Sequence, residues 1–378
     1  MSQHPCLYCC AVMAGCLCAP LQAADHYSIT EIPQIAHAIA VNRSGVVVGS
    51  NGQDYFVYVH SSGVVNQMAH TFVLGGVNDR GQISGAVIDL SAQQEPQAAV
   101  WNLSGGYQLL GPQPLSEAGA ISNSGFVIGD AADFHENSQA VVWRLSDPGT
   151  TRFLGSLVRD QLFFFDPTAT ANAVNDQGVV VGSSDAAVFD SQGNEIGGTT
   201  HAFRWQNGTM VDLGTLPGGG ASGANGINDD GQIVGESDTA NGASHAFLLK
   251  GSRFEDLGDL ADDPRLNSDA DAINDRSEIV GWSQVRLADG TLAQRAFVRN
   301  ARMRELQSLI ESRSPLSGSV TLTEATAISC NGWIVADGFD NSAPAVSHAY
   351  LLIPRDERQN GCREDRAREG HQAPERER

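Results

Sequence analysis

A single phrase recurs seven times along the chain: a small residue, any residue, Ala or Gly, an aliphatic residue, a polar turn, and an aliphatic return that usually ends in Gly. Its clearest copy is Ala224-Asn225-Gly226-Ile227-Asn228-Asp229-Asp230-Gly231-Gln232-Ile233-Val234-Gly235. The turn residue falls at Asn42, Asn78, Ser122, Asn175, Asn228, Asn274 and Ser329, so neighbouring copies stand 36 to 55 residues apart. A period of roughly 40 to 50 residues is what a four-stranded propeller blade requires. Short helical repeats and β-helix coils fit it poorly.

Each unit reads as four short strands. In the fourth copy the small-residue strand runs from Ala171 to Val174. Asn175-Asp176-Gln177-Gly178 then supplies an Asx residue to open a turn and a Gly where φ must become positive. Val179 to Gly182 is the return strand, and His201-Ala202-Phe203-Arg204-Trp205 alternates with the period of two that marks a half-buried strand. Gln206-Asn207-Gly208 signals a hairpin into a fourth strand, Met210-Val211-Asp212-Leu213-Gly214. Such units, with almost no helical periodicity between them, indicate an all-β chain.

The fourth strand is missing after the seventh copy, where the chain leaves Ala349-Tyr350-Leu351-Leu352-Ile353 at Pro354. Its match stands at the other end, as Ile29-Thr30-Glu31-Ile32-Pro33-Gln34-Ile35. The expected architecture is therefore a seven-bladed β-propeller of four-stranded blades, closed by an N-terminal strand that completes the last blade. Closure protects edge strands that an open stack would leave unpaired. Blades converge on the axis, so the strands rich in Ala and Gly belong innermost. Trp101, Trp143, Trp205 and Phe247 belong further out, filling the wedges between blades.

The strings His201-Ala202-Phe203, His245-Ala246-Phe247 and His348-Ala349-Tyr350, with Asp212-Leu213-Gly214-Thr215-Leu216-Pro217-Gly218-Gly219, resemble the HAF-type extracellular repeat of bacteria. The resemblance runs from about Tyr27 to Ile353 and is closest in the fourth and fifth units. In the first three units Asp54, Gln97 and Gln139 replace the His. It implies export and supports the repeat architecture, and it carries no biochemical activity over. The three His stand at equivalent places in different blades, too far apart to share a metal ion, and a hydrogen-bonding role at the strand start is expected for them.

The ends suggest a division into residues 1–23 as a signal peptide, 24–354 as one propeller domain and 355–378 as a charged, disordered tail. An apolar run from Leu7 to Leu21 precedes a small-residue site at Leu21-Gln22-Ala23, without the usual preceding Lys or Arg. Met13-Ala14-Gly15-Cys16 offers a lipid-anchor alternative at Cys16, and a buried N-terminal helix is a third reading. The protein is thus expected to be secreted or periplasmic, with no membrane span. Five of the seven Cys precede the cleavage point, leaving Cys330 and Cys362 either to pair in an oxidising compartment or to remain free thiols.

A formal net charge of −21 argues against nucleic acid as a partner. The acidity belongs to the ring, since the tail's Arg balance its acids; it serves solubility or attracts cations and basic partners. No Gly-x-Ser-x-Gly elbow, P-loop, zinc helix or dinucleotide fingerprint is present, so neither a cofactor nor a metal is expected. Recognition is expected on the face that carries the long connections, 156–170, 183–200, 261–269, 283–294 and 307–323. Within it Arg159, Asp160, Phe163, Phe164, Phe165 and Asp166 are the binding candidates, because three successive aromatics cannot all enter one core. The leading function is an exported binding module for a polysaccharide or protein partner. The rivals are a glycan-acting hydrolase or lyase with Asp160, Asp166, Asp262 and Asp263 at the axial mouth, and a structural surface or adhesion protein.

Overall fold

The computed structural model describes residues 27–68, 71–88, 95–112, 115–132, 138–158, 168–189, 192, 195–355 and 362. Seven four-stranded antiparallel sheets follow one another around an axis. Blades 1 to 6 span residues 37–67, 71–109, 116–153, 169–214, 222–256 and 268–305. Blade 7 takes Val320–Ile328, Ile334–Asp340 and Ser347–Pro354 from the end of the chain and Tyr27–Ile32 from its start.

That N-terminal strand pairs antiparallel with Ser347–Pro354, in a register running from Tyr27 opposite Pro354 to Ile32 opposite Ala349. Past a turn in which Gln34 has φ 66°, Ala349 N still donates to Ile35 O at 3.1 Å. Ile29, Ile32 and Ile35 are buried against blades 6, 7 and 1. The clasp therefore combines backbone pairing with apolar burial, and the expected closure is the observed one.

The small-residue strands are innermost and pack on one another around the axis. Ala and Gly are needed there. A Cβ on Gly75 would stand 2.4 Å from Ala118 O of the next blade, and on the second strand of blade 5 one on Gly235 would stand 2.0 Å from Gly223 O of the inner strand. The wedges between blades hold separate apolar clusters, with Trp101, Trp143, Trp205 and Phe247 each buried in a different one.

Ser residues stitch blades together at the start of the inner strands. Ser222 Oγ accepts from Ala202 N at 2.9 Å and donates to Gly214 O at 2.6 Å. Ser268 does the same with Ala246 N and Gly258 O. The repeat His side chains tie third strands to fourth strands: His201 Nδ1 lies 2.9 Å from Asp212 Oδ2, and His245 Nδ1 lies 2.9 Å from Asp256 Oδ1. In blade 7 the partner of His348 is Glu31, on the N-terminal strand, at 2.9 Å. Blade 6 substitutes Arg295 and Glu305, 3.4 Å apart.

Two expected long loops, 183–200 and 283–294, are instead extensions of the second and third strands. Val180–Phe189 pairs with Glu195–Gln206, and Ile279–Arg286 pairs with Leu292–Arg299. The pairing runs on to Phe189 opposite Glu195 in blade 4 and to Arg286 opposite Leu292 in blade 6. In the stretch 307–323, a short 3-10 turn, Leu306–Leu309, carries buried Leu306 and Leu309 into the core beside Tyr27. Among the described residues no helix is long and apolar enough to cross a membrane.

Candidate functional site

The recurring polar turns surround one end of the axis. Asn175 Oδ1 closes its own turn by accepting from Gln177 N and Val179 N, while Asn175 Nδ2 donates to Asn228 O of the next blade at 3.1 Å. Asn228 reaches Asn274 O, and Asn274 reaches Ser329 O, each at 3.1 Å. The following residue repeats the motion, Asp176 N donating to Asp229 Oδ1 and Asp229 N to Asp275 Oδ1 at 2.9 Å. The most conspicuous part of the repeat thus joins blades. It encloses a polar cavity of about 230 Å³.

Cys330 lies in the wall of that cavity and is disulfide-bonded to buried Cys362, with Cα atoms 5.1 Å apart. The bridge holds Cys362 at this end of the axis. Asp79 Oδ2 is 3.5 Å from Cys330 Sγ. Among the described residues this is the one trio of His, Cys or acidic side chains close enough to share an ion, and its two sulfurs are spent on each other.

Toward the other end, where the long connections open, the first and second strands of blades 5 to 7 carry acids that the repeat does not require. Asp269 and Asp271 lie on Ser268–Ile273, Glu324 on Val320–Ile328, Glu236 on Ile233–Asp238 and Asp337 on Ile334–Asp340. Asp337 is anchored at the closing seam, accepting from Ala38 N at 2.9 Å, with His37 Nδ1 at 3.1 Å. Asn225 Nδ2 donates to Asp269 Oδ1 at 2.8 Å, and Ser244 Oγ to Glu236 Oε2 at 3.0 Å. Asp271 Oδ2 and Thr326 Oγ1, at matching positions of blades 6 and 7, are buried and have no hydrogen-bond partner among the described residues.

Burial combined with mutual repulsion discourages these carboxyls from ionising. Burial, then Glu236 and Glu324, push Asp269 up to about 7. Burial, then the charges of Asp269, Glu324, Glu236 and Asp337, hold Asp271 well above the usual range. Glu324 is raised by burial and by Asp337, with His37 opposing. Asp337 is raised by burial despite its bonds to Ala38 and His37. Across the ring in blade 3, Glu117 and Asp130 face each other on paired strands, and burial plus the Glu117 charge lift Asp130 to about 6.

Arg159, Asp160, Phe163, Phe164, Phe165 and Asp166 lie outside the described residues. Asp262 and Asp263 precede blade 6 and do not join the acids just named; Asp263 pairs instead with Arg265 at 2.9 Å. The Ala and Gly that dominate the small-residue strands mask these acids in the sequence. The signal in the sequence is compositional: two acids, Asp269 and Asp271, in a strand otherwise of small and aliphatic residues.

No family model matches the chain, and no curated protein matches it in sequence. Solved structures do. The β-propeller domain of the Trilobed protease from Pyrococcus furiosus superposes with a TM-score of 0.54 at 7% identity, over 88% of this chain and 99% of that one. Pyrococcus horikoshii acylaminoacyl peptidase gives 0.50 at 10% identity, over 89% of this chain and 53% of its own. The protein spans about half the length of that peptidase. At such identities the likeness is one of fold, and the fold is a seven-bladed β-propeller.

Proposed function

We propose that the protein is an exported binding module whose long-loop axial mouth accepts a basic group of its partner. The observation that carries this reading is the convergence of Glu236, Asp269, Asp271, Glu324 and Asp337 from three adjacent blades, opposed by His37 at the seam. The recurring Asn and Ser side chains described above join blades and the His join strands within a blade; of these acids, Asp337 and Asp269 also bond across blades, whereas Asp271 costs desolvation with its Oδ2 left without a partner among the described residues. An ammonium or guanidinium spans several carboxylates, which suits acids too dispersed to share one metal ion. Export rests on the apolar run from Leu7 to Leu21.

The measurement is calorimetric titration of an oligo-lysine or oligo-arginine peptide at pH 8 and at pH 5. Binding is expected at pH 8, weakened at least tenfold by Asp269→Asn or Glu324→Gln, and lost at pH 5 as the acids take up protons. Affinity that ignores both substitutions and pH sinks the reading.

A glycan-acting enzyme is the second reading, favoured by the opposed pair Glu117 and Asp130. Directly opposed side chains have Cβ atoms about 5 Å apart, which is within reach of the carboxyl spacing that retaining glycosidases use. Asp130, lifted to about 6 by burial and the Glu117 charge, fits the acid, and Glu117, raised by burial alone, the nucleophile. Cleavage of a polysaccharide, abolished by Asp130→Asn, would establish it; retention without cleavage excludes it for that substrate.

A further inference from the structure

On the opposite face, at the outer edge of the wedge between blades 3 and 4, lies a groove of about 210 Å³. Its floor is apolar, made by Phe126, Val142 and Trp205. Its rim carries Arg144 and Arg152 from blade 3 and Gln177 and Asn207 from the turns of blade 4. Such a volume is below the roughly 300 to 1,000 Å³ of ordinary small-molecule sites. It suits one ring-sized group.

The two guanidiniums distinguish this groove from the rest of a chain whose net charge is −21. Arg144 is stacked on Phe126, its Cζ 4.3 Å from the ring centroid. The stack holds the guanidinium in place and leaves its in-plane N–H groups available, and neither Arg144 nor Arg152 has an ion-pair partner among the described residues. Arg152 stands opposite Val142, so both Arg lie on the blade face that lines the groove. Asp147, across from Arg144, is the one carboxylate on the rim, so the rim remains net positive. Phe126 is itself fixed from behind, since a Cβ on Gly178 of blade 4 would fall 2.4 Å from its ring. The result is a preorganised pair of planar forks above an apolar floor, with amide groups beside them. An anion such as a carboxylate accepts two N–H bonds from each fork.

We infer that the groove between blades 3 and 4 is a binding site for a negatively charged sugar residue, its carboxylate or sulfate held by Arg144 and Arg152 and its ring resting on the apolar floor. Amides at Gln177 and Asn207 are the groups that would read hydroxyls. The site is independent of the acidic axial mouth, since the two take ligands of opposite charge.

The test titrates the full chain with trigalacturonate, neutral galactotriose, a sulfated galacto-oligosaccharide and an acidic peptide. At least one anionic sugar is expected to bind, galactotriose and the peptide are not, and which of the two anionic sugars binds tells carboxylate from sulfate. Arg152→Gln and Arg144→Gln, both exposed positions, should each weaken binding at least tenfold while Asp269→Asn leaves it unchanged. Binding of neither anionic sugar, equal binding of the neutral sugar or the peptide, or binding indifferent to both Arg substitutions overturns the inference. Unchanged melting temperatures of the two variants separate a lost contact from a lost fold.

Discussion

Asp271 stands in blade 6 where blades 4 and 5 have Asn172 and Asn225, whose Nδ2 atoms donate to Ala224 O at 3.0 Å and Ala270 O at 3.3 Å of the following blade. A carboxylate cannot make that donation, but a neutral carboxylic acid can. The surrounding charges of Asp269, Glu324, Glu236 and Asp337 favour the neutral form. The linkage has a definite sign. A carboxyl raised in the folded state binds more protons there than in the unfolded chain, so stability is fully present below the ordinary Asp range and declines as pH rises through the folded value, about 7 for Asp269. Asp271→Asn supplies a permanent donor and removes a charge. It is expected to raise the melting temperature at pH 8 by several degrees and to change it little at pH 4, as followed by circular dichroism; an equal change at both pH values removes the neutral-acid account. At His245 and Asp256 the pair is partly buried, and a double-mutant cycle with Ala at each should give a coupling of about 0.5 to 3 kcal/mol. Neither change should alter ligand binding, because both side chains link the third and fourth strands of blade 5.

At the scale of elements, the strand order, the turn residues and the clasp were all legible, since each follows from local pattern and from a count of strands per repeat. What alternation could not reveal is which inner-strand residues face the axis. Every inner strand carries a register shift, between Ala224 and Gly226 in blade 5 and between Ala270 and Ala272 in blade 6, for example. A bulge breaks the period of two, so the facing of Asp271 cannot be counted along from Ser268. The blade-to-blade bonds of Asn175 and Asn228 were hidden for a different reason, because one side chain does two tasks and only the turn is visible locally. The groove between blades 3 and 4 is assembled from residues up to some 80 positions apart, Phe126 to Asn207, and has no linear signature. The N-terminal strand gives the prediction proper to this scale. A chain begun at Ala36 lacks Tyr27–Ile32 and leaves Ser347–Pro354 as an unpaired edge. It should melt at lower temperature and self-associate in light scattering, as exposed edges do; a monomer of unchanged stability would show that the clasp contributes nothing.

The whole molecule is a ring of near-equivalent sheets, each stabilised by its two neighbours, so its stability is a sum of interface contributions that closure makes cooperative. The covalent link between Cys330 and Cys362 lies outside this logic. Its sequence separation is 32, for which chain entropy gives roughly 3 to 4 kcal/mol if the loop were otherwise free. The loop is not free, since it contains Ile334–Asp340 and Ser347–Pro354, already held in the blade 7 sheet on either side. Much of the restraint is therefore duplicated by hydrogen bonds, and the bridge acts chiefly by holding Cys362 at the turn end of the axis. Reduction, or Cys362→Ser, should lower the melting temperature by only a few degrees and leave the β-sheet circular dichroism intact. It should also raise protease cleavage beyond Arg355, read by mass spectrometry, with the ring still resistant. Collapse of the ring on reduction would mean that the disulfide, and not the pairing of Tyr27–Ile32 with Ser347–Pro354, closes the propeller.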